Sequence, residues 1–296
     1  MSARPGPRAR SADAPLWSMI ALACGVHGAF ATVACCLAAA VAARLAATGW
    51  PPLWEGHPPM WPAAAIALLW SAGWLHRLVA AARLLAAARR LRASLAGARV
   101  EPPERLARLA AECGLEGRVT AVSSGGMFAF THGLLHPRVA VSTGLLALRD
   151  EELRAVLLHE GEHVRNRDPA KAVLASLVHA RNFYVPFLGA WRWRFIAARE
   201  LAADRVAQAG VGRGPVAGAL LRVAEGPPWS AGAAVAAMGS AGLLELRVRR
   251  LEDPGAPIPV PGRFDRVWAV AAGSVLVAAL VWAVFFLSAY PPPCRM

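Results

Sequence analysis

Three stretches of the chain are almost purely apolar, and the region between the second and third mixes apolar and polar residues with helix and strand periods. Leu16 to Ala43 carries no Asp, Glu, Lys or Arg, Met60 to Val79 is charged only at Arg77, and Val267 to Leu287 is apolar throughout. A spanning helix needs roughly 20 apolar residues, so each run is long enough. The first also exceeds the apolar core of a secretory signal, about 7–15 residues, and reads as an uncleaved anchor. The pattern predicts transmembrane helices over 16–46, 60–82 and 267–288. Between the last two lies one domain over 83–265, with a basic tail at 1–15 and a short tail at 289–296.

Within that domain the pattern predicts a mainly α fold with a small β-sheet. Val119 to Ser123, Met127 to Phe130 and Arg138 to Ser142 read as short strands, with Gly125 and Gly126 supplying a turn. A helix follows, with Asp150 as its N-cap and Glu151 and Glu152 in the first turn, where carboxylates complement the helix dipole. It ends near Asp168-Pro169, which reads as the start of the next helix. Residues 169–190 are apolar enough to be buried in the domain or to rest on the bilayer. A fourth span there would put Glu200 on the opposite side of the membrane from His159 and His163. Trp191 to Gln208 and Leu243 to Leu251 read as helices, and residues 210–232 as a stretch punctuated by Gly and Pro.

Charge sets the expected orientation. The net charge is +13, and Lys171 is the only lysine among the basic residues. Arg4, Arg8 and Arg10 precede the first apolar run, Arg77 marks the inner end of the second, and Arg83, Arg89, Arg90, Arg92 and Arg99 follow it. The positive-inside rule then places the N-terminus and the domain in the cytoplasm of a multi-pass cell-membrane protein, with the C-terminal tail outside. The arginine arm suits the anionic inner leaflet of the lipid bilayer, each Arg contributing about 1 kcal/mol there. No aromatic interleaving accompanies it, so no direct nucleic-acid binding is expected. Cys24, Cys35, Cys36, Cys113 and Cys294 form no CxxC pair, which leaves neither a disulfide framework nor a cysteine metal site.

The sharpest chemical signal is His159-Glu160-Gly161-Glu162-His163. Histidines four apart on a helix stand one turn apart on one face, so both imidazoles can close on one ion. Glu160 lies where its carboxylate reaches a water on that ion and acts as general base. A catalytic zinc needs three protein ligands, and Glu200 of Arg199-Glu200-Leu201-Ala202-Ala203-Asp204 is the expected third. Asp204, one turn on, can accept the outer N–H of a ligating histidine. These residues predict one zinc per chain and hydrolysis of peptide bonds. Glu162 points away from the metal as a salt-bridge or solvent residue. Val139, Ala140 and Val141 are the expected edge strand on which a substrate peptide is held extended. His179, Arg181 and Asn182 are candidates to stabilise the oxyanion.

Several segments resemble the membrane metallopeptidases of the BlaR/MecR antirepressor type, with HtpX-like and prenyl-protein endopeptidases as more distant relatives. They are His132-Gly133-Leu134-Leu135-His136-Pro137 running on to Leu146, Glu152 to Leu158 before the histidine pair, Asn182-Phe183-Tyr184-Val185-Pro186, and Leu246 to Leu251. The resemblance covers roughly residues 120–290. It implies a gluzincin-type domain, ligands at His159, His163 and Glu200, and a base at Glu160. It further implies regulatory proteolysis of a partner protein such as a cytoplasmic transcriptional repressor. Two departures stand out: Ala203 replaces the usual Cys, and about eight residues follow the last span where those receptors carry a sensor domain, so β-lactam sensing is not expected. An HtpX-like quality-control protease and a catalytically silent membrane signalling protein remain alternative readings.

Overall fold

A computed structural model of the chain describes residues 7–48, 61–185, 187–225, 241–253 and 255–256, with ten helical positions between 267 and 285. The loop at 49–60, most of the third apolar run and the 289–296 tail lie outside the described residues. In chain order the elements are α1 (Pro7–Thr48), α2 (Trp61–Gly97), β1 (Arg99–Val100), α3 (Glu104–Glu112), β2 (Val119–Val122), β3 (Ala129–His132) and β4 (Arg138–Ser142). A 3₁₀ turn (Thr143–Ala147) leads to α4 (Asp150–Asn166), α5 (Asp168–Arg181), α6 (Phe187–Val211), α7 (Arg213–Glu225) and α8 (Ala241–Glu252). The described chain is therefore mainly helical around one small mixed sheet.

Residues divide into two compact units. One gathers 17–81, 176–191 and 260–296, the other 1–16, 82–175 and 192–259. The apolar unit thus takes in the end of α5 and the start of α6, which the sequence pattern assigns to the domain.

Among the described residues two helical stretches are long and apolar enough to cross a membrane, Ala12–Cys36 and Ala64–Gly97, each lying mostly in the apolar unit. Their side chains are mostly not buried within the molecule: Trp17, Leu68 and Leu75 are 59, 71 and 64% exposed. A water-soluble surface rarely presents apolar area on this scale, whereas lipid accepts it without cost. Phe30, Val33 and Ile66 pack with Trp70 and Tyr184. Beside them the Arg181 guanidinium lies 4.9 Å from the ring centre of Trp74 and 2.8 Å from His27 Nδ1. Gly73 makes that approach possible: a Cβ there would stand 2.4 Å from the Arg181 carbonyl oxygen.

In the other unit the sheet order is β1-β2-β4-β3. β4 pairs in parallel with β2 and antiparallel with β3. Val139 and Val141 point into a core with Leu106, Leu109, Leu153 and Leu157 of α3 and α4, while Ala140 packs on the other face with Leu95 and Val122. A strand apolar on both faces belongs inside a sheet. The expectation that Val139, Ala140 and Val141 form a substrate edge is therefore corrected: both sides of β4 are already hydrogen-bonded, and the edge beside it is β3.

The start of α4 also shifts by one residue. Arg149 is the N-cap, and the buried Glu152 reaches back to accept from the Arg149 N–H at 3.1 Å and its guanidinium at 2.8 Å. Asp150 instead pairs with Arg105 of α3, which also donates to the carbonyls of Leu146 and Leu148. Residues 213–225, within the stretch punctuated by Gly and Pro, form α7. Pro215 falls in its first turn, where a missing N–H costs nothing. Gly218 lets the helix approach α4, since a Cβ there would stand 2.7 Å from Glu152 Oε1.

Replacing Gly73 with Ala is expected to lower the thermal midpoint of the detergent-solubilised protein, by the overpacking cost of about 1–3 kcal/mol. An unchanged midpoint would show that the Arg181 approach is not a constraint.

Candidate active site

α4 brings its chemistry together because its polar residues share one face. His159, Glu160 and His163 are all buried, as are Leu153 and Leu157 on the face that anchors the helix to the sheet. The two imidazoles meet with Nε2 to Nε2 at 3.2 Å. α6 crosses so that Glu200 Oε2 lies 3.4 Å from His159 Nε2 and Oε1 lies 3.5 Å from His163 Nε2. One ligand atom from each of the three residues falls within 4.8 Å of the other two.

The outer nitrogens determine what the inner ones present. His159 Nδ1 is 2.9 Å from Asp204 Oδ1, and His163 Nδ1 is 2.7 Å from Asp168 Oδ2. An ionised carboxylate only accepts, so each Nδ1 carries the proton. In a neutral ring Nε2 is then a bare lone pair. Two such lone pairs and a carboxylate converge with no donor among them, an arrangement that repels itself unless a cation or a proton sits at its centre. Two nitrogens and an oxygen, each oriented by an outer hydrogen bond, fit a divalent ion such as zinc.

Electrostatics point the same way. Burial and the charge of Arg247 disfavour a charged His159, but Asp204 and Glu200 outweigh them and carry its pKa up to about 10. Burial likewise opposes the charged form of His163, and its bond to Asp168 and the Glu200 charge raise it nonetheless. Burial raises Glu200, yet the two histidines and Arg247 hold it well below the usual carboxylate range. Burial opposes the charge of Asp204 too, yet Arg247 and His159 bring its pKa down to about 2. The cluster is thus built for positive charge between Glu200 and the rings.

Four further residues complete the site in roles that the sequence pattern did not assign them. Asp168 heads α5, and the turn placing it beside His163 passes through Arg167 in the left-handed region, φ 54°. The buried Arg199 donates from Nε to Asp168 at 2.9 Å. Arg247 on α8 clamps Asp204 from two nitrogens, at 2.7 and 2.9 Å, and stands 3.4 Å from Glu200. Thr131 on β3 donates its hydroxyl to Glu160 Oε2 at 2.7 Å. The five-residue step from His163 to Asp168 was the one available signal; Thr131 and Arg247 meet the site only through the tertiary path. Glu162 is buried and paired, with Arg165 at 3.3 Å, Arg199 at 3.6 Å and a hydrogen bond from Asn166, so it is a salt-bridge residue and not a solvent one. Of the oxyanion candidates, His179, Arg181 and Asn182 all belong to the apolar unit and not to the unit that holds the histidine pair.

Compared with known families, the chain matches the model described as BlaR1 peptidase M56 over residues 57–251. No curated protein and no solved structure matches it.

Metal uptake is expected to depend on pH with a definite sign. A folded-state pKa raised above 6.5 means the metal-free fold is stabilised by a proton on His159. That stabilisation is complete below pH 6.5 and is lost as pH rises through about 10. A metal must displace this proton, so zinc affinity, measured by chelator competition, climbs across the same window. Asp168→Asn and Asp204→Asn are each expected to weaken zinc binding about 10–100-fold. Affinity that is flat with pH and indifferent to both substitutions would contradict the site.

Proposed function

Because the chain belongs to the BlaR1 peptidase M56 family and is thereby a membrane-associated metallopeptidase, we propose that it is a zinc endopeptidase with Glu160 as its general base. His159, His163 and Glu200 would hold one zinc ion per chain. The observation that carries the reading is the convergence of two carboxylate-oriented imidazoles with the Glu200 carboxylate. Zinc bound by such donors supplies two things, acidification of water to a pKa of about 7 and polarisation of a carbonyl.

The chain's own residues do the rest. Thr131 holds Glu160 Oε2 and so fixes the carboxylate of the residue beside His159. Glu160 takes a proton from water as the water oxygen bonds to the peptide carbonyl carbon. It returns that proton to the amine nitrogen as the carbon–nitrogen bond breaks. Asp168 and Asp204 keep both rings in the Nδ1–H tautomer throughout. Among the described residues no strand pairs with the outer edge of β3, and β3 packs against α4. An extended peptide added there would lie along the helix that carries Glu160.

The substrate in this reading is a protein segment presented in extended form, and regulatory cleavage of a cytoplasmic repressor is the role we favour. The protein would span the cell membrane several times with its catalytic unit on the cytoplasmic side. The basic run from Arg77 to Arg99 supports that orientation.

Glu160→Gln is expected to keep zinc at one per chain while cleavage falls about 10²–10⁴-fold, the usual share of a general base. The same variant should co-purify with one soluble partner. A spread of membrane proteins would favour quality-control proteolysis instead. A purified protein without zinc, whose cellular effect survives Glu160→Gln, would replace the enzyme with a silent signalling protein.

A further inference from the structure

Next to His159 and Glu160 lies a half-open cavity of about 100 Å³, and its wall changes character away from them. The polar lining residues are His159, Glu160, Asp204 and Arg247, and the remainder is aliphatic. Ala155 of α4, Ala207 of α6 and Ala219 of α7 are buried in one apolar cluster with Val216, and Leu220 packs against it. Ala155 stands one turn before His159, and Ala207 nearly one turn after Asp204, so the cavity continues the faces that carry the chemistry. Arg247 and Asp204 pair with each other in two contacts, so neither offers an unpaired charge to an ionic group.

Size and polarity together select an occupant. An apolar cavity of about 150 Å³ takes a benzene molecule. One of about 100 Å³ matches an isopropyl or isobutyl group more closely than a phenyl ring. Larger residues in place of the three alanines would close the space altogether. On the peptidase reading of the site, we propose that this cavity is the specificity pocket for one of the two residues flanking the cleaved bond. It takes valine, leucine or isoleucine and turns away aromatic and charged side chains. The chain would cut next to a branched aliphatic residue.

The test uses the zinc-loaded full-length protein in detergent and a mixed library of end-blocked decapeptides, with cut sites read by mass spectrometry. Valine, leucine and isoleucine should exceed phenylalanine and lysine about 10-fold or more on one side of the cut, as misfit in an apolar pocket commonly costs about 10–200-fold. Leu220→Ala should admit phenylalanine, and Ala219→Leu should shift the preference to glycine and alanine, both with near-native melting. In parallel, zinc-loaded Glu160→Gln protein is titrated with a blocked glycine-serine hexapeptide in which one leucine or one phenylalanine is walked along the chain. At one position leucine should bind about 10-fold more tightly than phenylalanine, a result that needs no turnover. Aromatic preference at both flanking positions, or preferences that neither cavity variant moves, would overturn the proposal. A library left uncut would count against the peptidase reading. In that case equal binding of leucine and phenylalanine peptides at every position would overturn the pocket as well.

Discussion

Two imidazole nitrogens 3.2 Å apart, each with its outer nitrogen bound to a carboxylate, are the constraint around which this unit is arranged. The pair exists because α4 runs unbroken from Asp150 to Asn166, placing residues four apart on one face. It is polarised because α5 and α6 each bring an aspartate to the outer side of one ring. It is charged because α6 adds Glu200 to the inner side. Removing any of these leaves a buried polar group without its partner, which costs more than the contact itself contributes.

The supporting shell is itself ionic and buried, and each carboxylate in it has a cationic neighbour. Asp204 has Arg247, and Asp168 has Arg199. Arg199 in turn approaches Glu162 and Asp13, and Asp13 pairs with Lys171. Isolated buried charges would neutralise themselves by shifting their pKa. Pairing with Arg247 holds the Asp204 pKa low, at about 2, and the group is therefore ionised and able to hold the His159 tautomer. The chain places these cations on α5, α6 and α8, so the site is closed by elements far apart in sequence.

What could be read from the sequence follows from how local each feature is. His159, Glu160 and His163 were legible because their spacing is the helix period and the helix announces itself with Asp150, Glu151 and Glu152. Glu200 and Asp204 were legible as a second pair four apart. Thr131, Asp168 and Arg247 reach their partners through a strand edge, a left-handed turn and a separate helix, none of which a periodicity reports. The edge strand was misassigned because three short apolar strands do not reveal their order. Here β2 and β4 are neighbours in parallel, so the chain passes through β3 first and leaves that strand outside. α7 was missed because Gly and Pro mark a helix start as readily as a break, and Gly218 serves a close approach to Glu152 that only the packed structure displays.

The family implies a metal, and His159, His163 and Glu200 stand where they could hold one; that they do so is the central proposal. The most direct test is zinc K-edge X-ray absorption on the purified full-length protein, wild type beside Glu200→Ala. The account predicts one zinc per chain with nitrogen and oxygen neighbours near about 2.0–2.1 Å, two of them imidazoles, and a ligand set altered in the variant. Sulfur neighbours near about 2.3 Å, or a spectrum that Glu200→Ala leaves unchanged, would contradict it.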